Sequence, residues 1–470
     1  MSATATTEKK YLKWYQKLAY GSGDLASNCS YGLVSSFVLL YLTGTLGLDS
    51  AIIGSLMLAS KVLDGISDVI FGTLIDRTHS KLGKARPWML FGQVGVSLCL
   101  FLLFAIPAGS TTMQYIYFFI VYTALNAVFY TANGIAYSSL VALITKNNNE
   151  RVQLGSFRFM FAVVTNIFMG FAVTGMVEKF GGGAAGWRTT ALIFAIVGLV
   201  VNTISCLAVK ELPEEELGDN TSEAAEEGKA VAEEKKHGFA ETAKILVHNK
   251  YYLMILAIYI VYYIMSNLTT GAGVFCATYY WGDGSLLGQF SMMKMFPVII
   301  ALAIAPVLIK KTGSMQKVNF WGYAISSVLG IPMIYFAMQK NLSMFLLFMF
   351  IKGIFAGTLS GSLNALIAEA SGYTTRTTGI HMDGMMYSCS SLGVKVGGGI
   401  GTAAVGWLLK LGGFVGTATV QSESAIRMIF NLYITFPVVI GIIITVLLAF
   451  LDVEKANKKW DAEHQKEAQA

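Results

Sequence analysis

Apolar residues run through this chain in blocks of about twenty, the length an α-helix needs to cross a bilayer, with short polar stretches between them. The blocks predict about twelve spans, near 18–45, 50–75, 87–107, 112–144, 154–178, 187–208, 249–279, 285–310, 316–338, 342–370, 382–410 and 426–451. Several exceed the minimum length, as tilted helices or helices extended beyond the bilayer do. Polar residues inside such blocks stand out. In the second block, Ile52 to Gly72, Asp64 and Asp68 lie one helical turn apart and share a helix face. Lipid makes each charge costly, so an intramembrane carboxylate pair marks function by default. A bound cation between the two, or a shared proton, relieves both costs and points to ion coupling. Interhelical ion pairs with Lys61 or Lys395 are the structural alternative.

The polar connections set an orientation. Lys9, Lys10, Lys13 and Lys17 precede the first span, and Arg77, His79, Lys81, Lys84 and Arg86 crowd the second connection. Lys146 and Arg151, then Lys310, Lys311 and Lys317, then Arg376 follow in alternate connections, and Lys455, Lys458 and Lys459 follow the last span. The connections between, such as Gly47–Ser50 and Ala108–Thr112, are almost free of Lys and Arg. The positive-inside rule then puts both termini in the cytoplasm, which an even number of spans requires.

Between the sixth and seventh spans the composition changes. Glu211-Leu212-Pro213-Glu214-Glu215-Glu216 opens an acidic, Ala-rich stretch that reaches about Gly238 and cannot bury a core. The expected organisation is a six-helix bundle over 1–209, a cytoplasmic linker over 210–245, a second six-helix bundle over 246–452 and a cytoplasmic tail over 453–470. A faint repeat agrees: Leu74-Ile75-Asp76-Arg77-Thr78 follows the second span, and Leu308-Ile309-Lys310-Lys311-Thr312 holds the equivalent place in the second half. Two six-span halves around a central cavity are a transporter layout.

Composition narrows the class. Of 470 residues, 54% are hydrophobic and 13% charged, against roughly 25% charged in soluble domains. The net charge of +6 therefore reflects basic cytoplasmic loops rather than a nucleic-acid footprint. Cys29, Cys99, Cys206, Cys276 and Cys389 are scattered through apolar runs, without metal-ligand or disulfide spacing. No catalytic triad, phosphate loop or zinc spacing is present, so no enzymatic activity and no cofactor is expected. The glycines around Lys395, Gly393 to Gly401, follow no strand and serve close helix approach.

Sugars need convergent donors and acceptors. Asp24, Asn28, Asn126, Tyr130, Thr131 and Asn133 supply them on two spans, with Tyr20, Tyr31, Phe129 and Tyr137 nearby in sequence. Each Asn or Tyr equally suits a helix–helix hydrogen bond. Lys294 and Lys352 lie within spans of the second half, where they contact an acidic sugar, snorkel or pair with neighbours. Asp76, Arg77 and Arg86 are expected to form a cytoplasmic charge lock, or gate.

Several motifs, in order, carry a resemblance. Gly72-Thr73-Leu74-Ile75-Asp76-Arg77-Thr78, then Gly83-Lys84-Ala85-Arg86-Pro87-Trp88, resembles the cytoplasmic loop of major facilitator transporters. It is similar in particular to the glycoside–pentoside–hexuronide:cation symporters, the melibiose-permease-like group. Tyr20-Gly21-Ser22-Gly23-Asp24 with Asn28, Leu63 to Asp68, Leu154-Gly155-Ser156-Phe157-Arg158, and Gly384 to Ser388 with Lys395 resemble further segments of that family. The resemblance implies an all-α membrane protein of twelve transmembrane helices, in the major facilitator fold of two six-helix bundles around a central cavity. It implies that Asp64 and Asp68 hold the coupling cation, Na⁺ or H⁺, with Thr131 adding a hydroxyl and Lys395 as a mobile countercharge beside Lys61. Asp24 and Asn28 would face the sugar, and Arg158 would join the polar network at the cytoplasmic side. Melibiose-type members carry a carboxylate where this chain has Asn28, and the Asp24/Asn28 pattern looks more like the glucuronide and xyloside permeases.

The expected function is secondary active import of a glycoside, pentoside or hexuronide, glucuronide favoured, with Na⁺ or H⁺ by alternating access. The expected setting is a bacterial inner membrane, as a monomer in the lipid bilayer, with no nucleic-acid partner. The alternatives are a proton-coupled drug or lipid transporter on the same fold, and a non-transporting membrane sensor.

Overall fold

The computed structural model describes residues 9–213, 245–380, 383–418 and 420–467, and among these no strand occurs. Helix α1 runs Trp14–Thr45, α2 Ser50–Asp76, α3 Arg86–Leu103, α4 Thr111–Ile144, α5 Asn148–Lys179 and α6 Gly183–Leu207. Then come α7 Lys250–Tyr280, α8 Leu286–Thr312, α9 Met315–Met338, α10 Leu342–Thr378, α11 Asp383–Leu411, α12 over 423–450 and α13 Val453–Glu467. Eleven helical runs among the described residues are long and apolar enough to cross a membrane. The 27-residue α2 is not one of those eleven, but at about 1.5 Å per residue it reaches roughly 40 Å and completes twelve.

The helices start where side chains satisfy their unpaired N–H groups. Asp49 accepts from Ala51 and Ile52 N–H at α2, Asn147 from Glu150 N–H at α5, Asn249 from Tyr251 and Tyr252 N–H at α7, and Asn341 from Met344 N–H at α10. Gly379, at φ +72°, ends α10 in the left-handed region that glycine enters without strain.

The chain forms two compact units. Unit 1 holds α1–α6, together with Gly282–Gly288 and Leu409–Ser422, and so the first three residues of α8 and the last three of α11; unit 2 holds the rest of α7–α13. Those two short segments, which the sequence assigns to the second half, belong to unit 1 because they close on its backbone. A Cβ on Gly170 would lie 2.7 Å from Gly288 Cα, and one on Gly416 2.1 Å from Thr43 O.

Each unit has the same internal plan. In unit 1, α1 packs on α6, and α3 on α4 and α6; in unit 2, α7 packs on α12, and α9 on α10 and α12. The repeat extends to one detail. Glu211, the fourth residue beyond α6, accepts from the N–H groups of Lys84 (2.7 Å), Ala85 (3.0 Å) and Arg86 (3.1 Å) at the start of α3. Glu454, the fourth residue beyond α12, accepts from Met315 (2.8 Å) and Gln316 (3.3 Å) N–H and from the Ser314 hydroxyl at the start of α9. A carboxylate at a helix N-terminus meets both its orphan donors and its positive dipole end.

Apolar and polar faces are reversed relative to a soluble protein. On α9 one exposed stripe carries Trp321, Val328, Ile331, Tyr335 and Met338, while Asn319, Gly322, Tyr323 and Ser326 face inward. With lipid outside, interior polarity is retained where it joins helices: Asn319 donates to the Ser362 hydroxyl at 2.7 Å, and Asn202 to Met89 O at 2.9 Å.

The segment expected as a cytoplasmic tail carries the helix α13, docked on α10: Asn457 donates to Glu369 Oε2 (2.8 Å) and Arg376 pairs with Asp461 (2.9 Å). Of the acidic linker, 214–244 lie outside the described residues.

Candidate cation and sugar site

Asp64 lies midway along α2, about 21 Å from its start at 1.5 Å per residue. It is only 9% exposed. A buried carboxylate persists when donors surround it, and Thr131 and Lys61 stand at the two oxygens of Asp64. The Thr131 hydroxyl of α4 donates to Oδ1 at 2.7 Å, and Lys61 Nζ, one turn back on α2, lies 3.4 Å from Oδ2. Thr131 owes its placement to a wider π-helical turn over Ala124–Tyr130 inside α4, after which its hydroxyl also lies 2.9 Å from Asn126 O. Such turns are frequent at functional sites. One proton cannot serve both acceptors fully, and the charged carboxylate is the stronger. Asp68 is half-buried on the same helix.

From Lys61 the polar network continues into α1. The ammonium stands 5.9 Å over the Tyr31 ring, and Tyr31 stacks on Tyr130 of α4 with centroids 5.4 Å apart. Two stacked phenols beside a paired charge give a flat aromatic surface with polar edges, which suits a sugar face.

A second cluster joins α1 and α5. Arg158 Nε meets Asp24 Oδ2 at 2.7 Å, and the guanidinium lies 4.2 Å over the Tyr137 ring. Tyr20 donates its hydroxyl to Tyr137 O while Tyr137 donates to Tyr20 O at 2.7 Å. Asn28 donates to Asp24 O (2.7 Å) and accepts from Asn166 (2.9 Å). Asn166, on α5, is a participant that sequence spacing did not suggest. Its partner lies 138 residues away, and only helix packing links them.

Asp64, Thr131 and Lys61 are thus brought together, as are Asp24, Asn28 and Arg158, with Tyr130 reached through Tyr31. Asn133 is not among them. It is buried and gives its amide to Gln93 Oε1 at 3.1 Å, joining α4 to α3 rather than facing a sugar. Lys395 belongs to the other unit, half-buried on α11. The expected lock of Asp76, Arg77 and Arg86 is not formed. Asp76 and Arg77 are exposed, whereas Arg86 is buried and donates to Cys206 O (3.2 Å) and Leu82 O (3.3 Å). The carboxylate near Arg86 is Glu211, bound to its backbone N–H. Among the described residues, no group of three or more His, Cys, Asp or Glu could hold a metal ion. Any cation here would rest on two carboxylates and a hydroxyl, a set that suits a monovalent hard ion or a proton.

Charged networks inside membrane-spanning bundles mark substrate or ion pathways. Residues 19–455 match the family model described as MFS/sugar transport protein. The chain belongs to that family, in its glycoside–pentoside–hexuronide:cation symporter branch. It is 27% identical over 467 residues to the isoprimeverose transporter of Lactiplantibacillus pentosus, covering 98% of this chain and 93% of that protein. It is 23% identical over 408 residues to the glucuronide carrier protein homolog of Escherichia coli (strain K12), covering 86% and 85%. Among solved structures, a bacterial homolog of the human lysosomal transporter Spinster superposes with a TM-score of 0.69 at 13% identity, covering 95% of this chain and 98% of that one. That likeness carries the major facilitator fold.

Proposed function

We propose that the protein imports a glycoside, pentoside or hexuronide, with a glucuronide favoured, in symport with Na⁺ or H⁺ by alternating access. The observation that carries the reading is the buried Asp64 carboxylate, held by the Thr131 hydroxyl at 2.7 Å and loosely by Lys61 at 3.4 Å. A cation or proton at Asp64 and Asp68 would replace the Lys61 contact, releasing that ammonium toward Tyr31, Tyr130 and the sugar. Asp24, Asn28, Arg158 and Tyr130 would hold the sugar, and Lys395 would act as countercharge when the cation is absent. Because both ligands favour one state, each tightens the other by the same factor. The printed names of the relatives above support a sugar or glycoside as cargo. In this reading the chain is a monomer in a bacterial inner membrane with both termini cytoplasmic.

The test is uptake into proteoliposomes of labelled glucuronides, xylosides and galactosides under an imposed Na⁺ or H⁺ gradient. One gradient should drive accumulation. Asp68→Asn should abolish it while leaving exchange of sugar across the bilayer. Full gradient-driven accumulation by that variant would overturn the coupling role, and no sugar flux under any gradient would overturn the cargo.

A further inference from the structure

Unit 2 contains a cavity of about 160 Å³, roughly the room of ten waters. Its polar lining is Tyr262, Ser266, Thr269, Lys294, Tyr323, Lys352, Ser360 and Tyr433; the rest is methionine, phenylalanine, glycine and aliphatic. Two cations and no carboxylate line it.

Both lysines are deep. Lys294 is eight residues into α8 and Lys352 ten into α10, about 12 and 15 Å from the helix starts, where half the hydrocarbon core is about 15 Å. Among the described residues neither lysine has an acidic partner. Lys294 Nζ donates to the neutral hydroxyl oxygens of Thr269 and Thr270, each at 3.2 Å. Lys352 makes no hydrogen bond or ion pair with any described residue. Tyr323 is 2% exposed, and its hydroxyl, in the same wall, is buried without a partner. Tyr262 and Ser360 share one bond at 2.7 Å, which leaves one of their two protons unspent.

Half-buried ammonium groups well inside a span and buried hydroxyls are left without protein partners where something else completes them. The unspent protons here are those of the Lys352 ammonium, the third of Lys294 and that of the Tyr323 hydroxyl, and each needs an acceptor. A cation is excluded by the two ammonium groups. A carboxylate, which accepts at two oxygens and carries one charge, meets them. The surrounding apolar and aromatic lining suits the carbon face of a sugar ring.

We infer that this cavity is a binding subsite for the carboxylate of an acidic sugar, a hexuronate, held by Lys352 and Lys294 with the Tyr323 hydroxyl donating. This rests on the sugar-transport reading and assigns the acidic branch of its cargo to a site in unit 2. Neutral glycosides leave the lysines uncompensated and are rejected there.

The test is direct binding to the full-length protein purified in detergent, independent of flux. Labelled glucuronate and glucose are compared by equilibrium dialysis, with thermal unfolding in parallel. Wild type should bind glucuronate and not glucose. Lys352→Gln should weaken glucuronate about tenfold or more, the loss of a charge-assisted bond, whereas Lys352→Arg should hold it within a few-fold. Without ligand, Lys352→Gln should unfold at the wild-type temperature or above, since it removes an uncompensated charge. Tyr323→Phe, which changes no volume and no charge, should weaken glucuronate several-fold and serves if Lys352→Gln does not fold. Equal binding of glucuronate and glucose, no glucuronate binding, or affinity unchanged in Lys352→Gln and Tyr323→Phe would overturn the inference. Sulfate competing as well as glucuronate, with the same lysine dependence, would overturn it in favour of an inorganic-anion site. Lysine-dependent glucuronate binding without gradient-driven uptake would sustain this site and sink the transport reading. Xyloside accumulation without glucuronate binding would do the reverse.

Discussion

Replacing Asp24 by Asn tests how unit 1 holds its polar cluster. Arg158 Nε meets Asp24 at 2.7 Å, and the two side chains are 25% and 18% exposed. Removing one partner of a fully buried pair costs about 3–5 kcal/mol, because the other charge is left uncompensated. Residual exposure screens part of this, and the Tyr137 face, already 4.2 Å from the guanidinium, leaves the arginine less than wholly uncompensated. The expected loss is therefore about 2–3 kcal/mol. For a cooperative unit of 150–250 residues that is a fall of about 5–10 °C in unfolding temperature. The double variant Asp24→Asn/Arg158→Gln has no orphaned charge and is expected to recover most of the loss, with a coupling energy above about 1 kcal/mol. It should still fail to bind sugar, since the charged donors and acceptors are gone. The assay is thermal unfolding of wild type, both single variants and the double variant in one detergent, with sugar binding measured on each. Additive effects of the two single changes would refute the argument, because they would mean that neither charge depends on the other.

Other consequences follow from contacts already described. Thr131→Val removes the donor to Asp64 Oδ1 and is expected to weaken the coupling ion about 10- to 100-fold, with Thr131→Ser near wild type; the ion dependence of uptake measures it, and an unchanged dependence removes Thr131 from the site. Glu211→Ala and Glu454→Ala each strip N–H acceptors from a helix start and should each lower stability by about 1–2 kcal/mol, read as unfolding temperature, whereas no shift would make the paired caps incidental. Gly397→Val places a Cβ where the Ile260 carbonyl oxygen would be 2.4 Å away and should cost about 1–3 kcal/mol by forcing α11 from α7. Gly175→Ala, where nothing lies within 4 Å, should be neutral or slightly stabilising by helix propensity; equal losses at 175 and 397 would mean that close approach is not what position 397 requires.

The sequence by itself determined the medium, the number of spans and the two-half organisation. These follow from run length and composition, which act locally: a block of about twenty apolar residues crosses a bilayer whatever its neighbours do. It also singled out Asp64, since an acid in such a block is conspicuous without coordinates. Order along the chain identified the family, because its motifs are short and contiguous. Tertiary structure alone decided which polar groups meet. Asn28 with Asn166, Tyr31 with Tyr130 and Lys294 with Lys352 are brought together by helix packing, and no local rule couples positions so far apart. The same holds for Asn133, which faces Gln93 rather than Asp24 because the rotation of α4 is set by its neighbours. The capping glutamates were not legible, because the helix ends they follow and their targets at the starts of α3 and α9 exist only once each bundle has folded. In the segment expected as a tail, Asn457 and Asp461 share a helix face because Glu369 and Arg376 on α10 supply their partners.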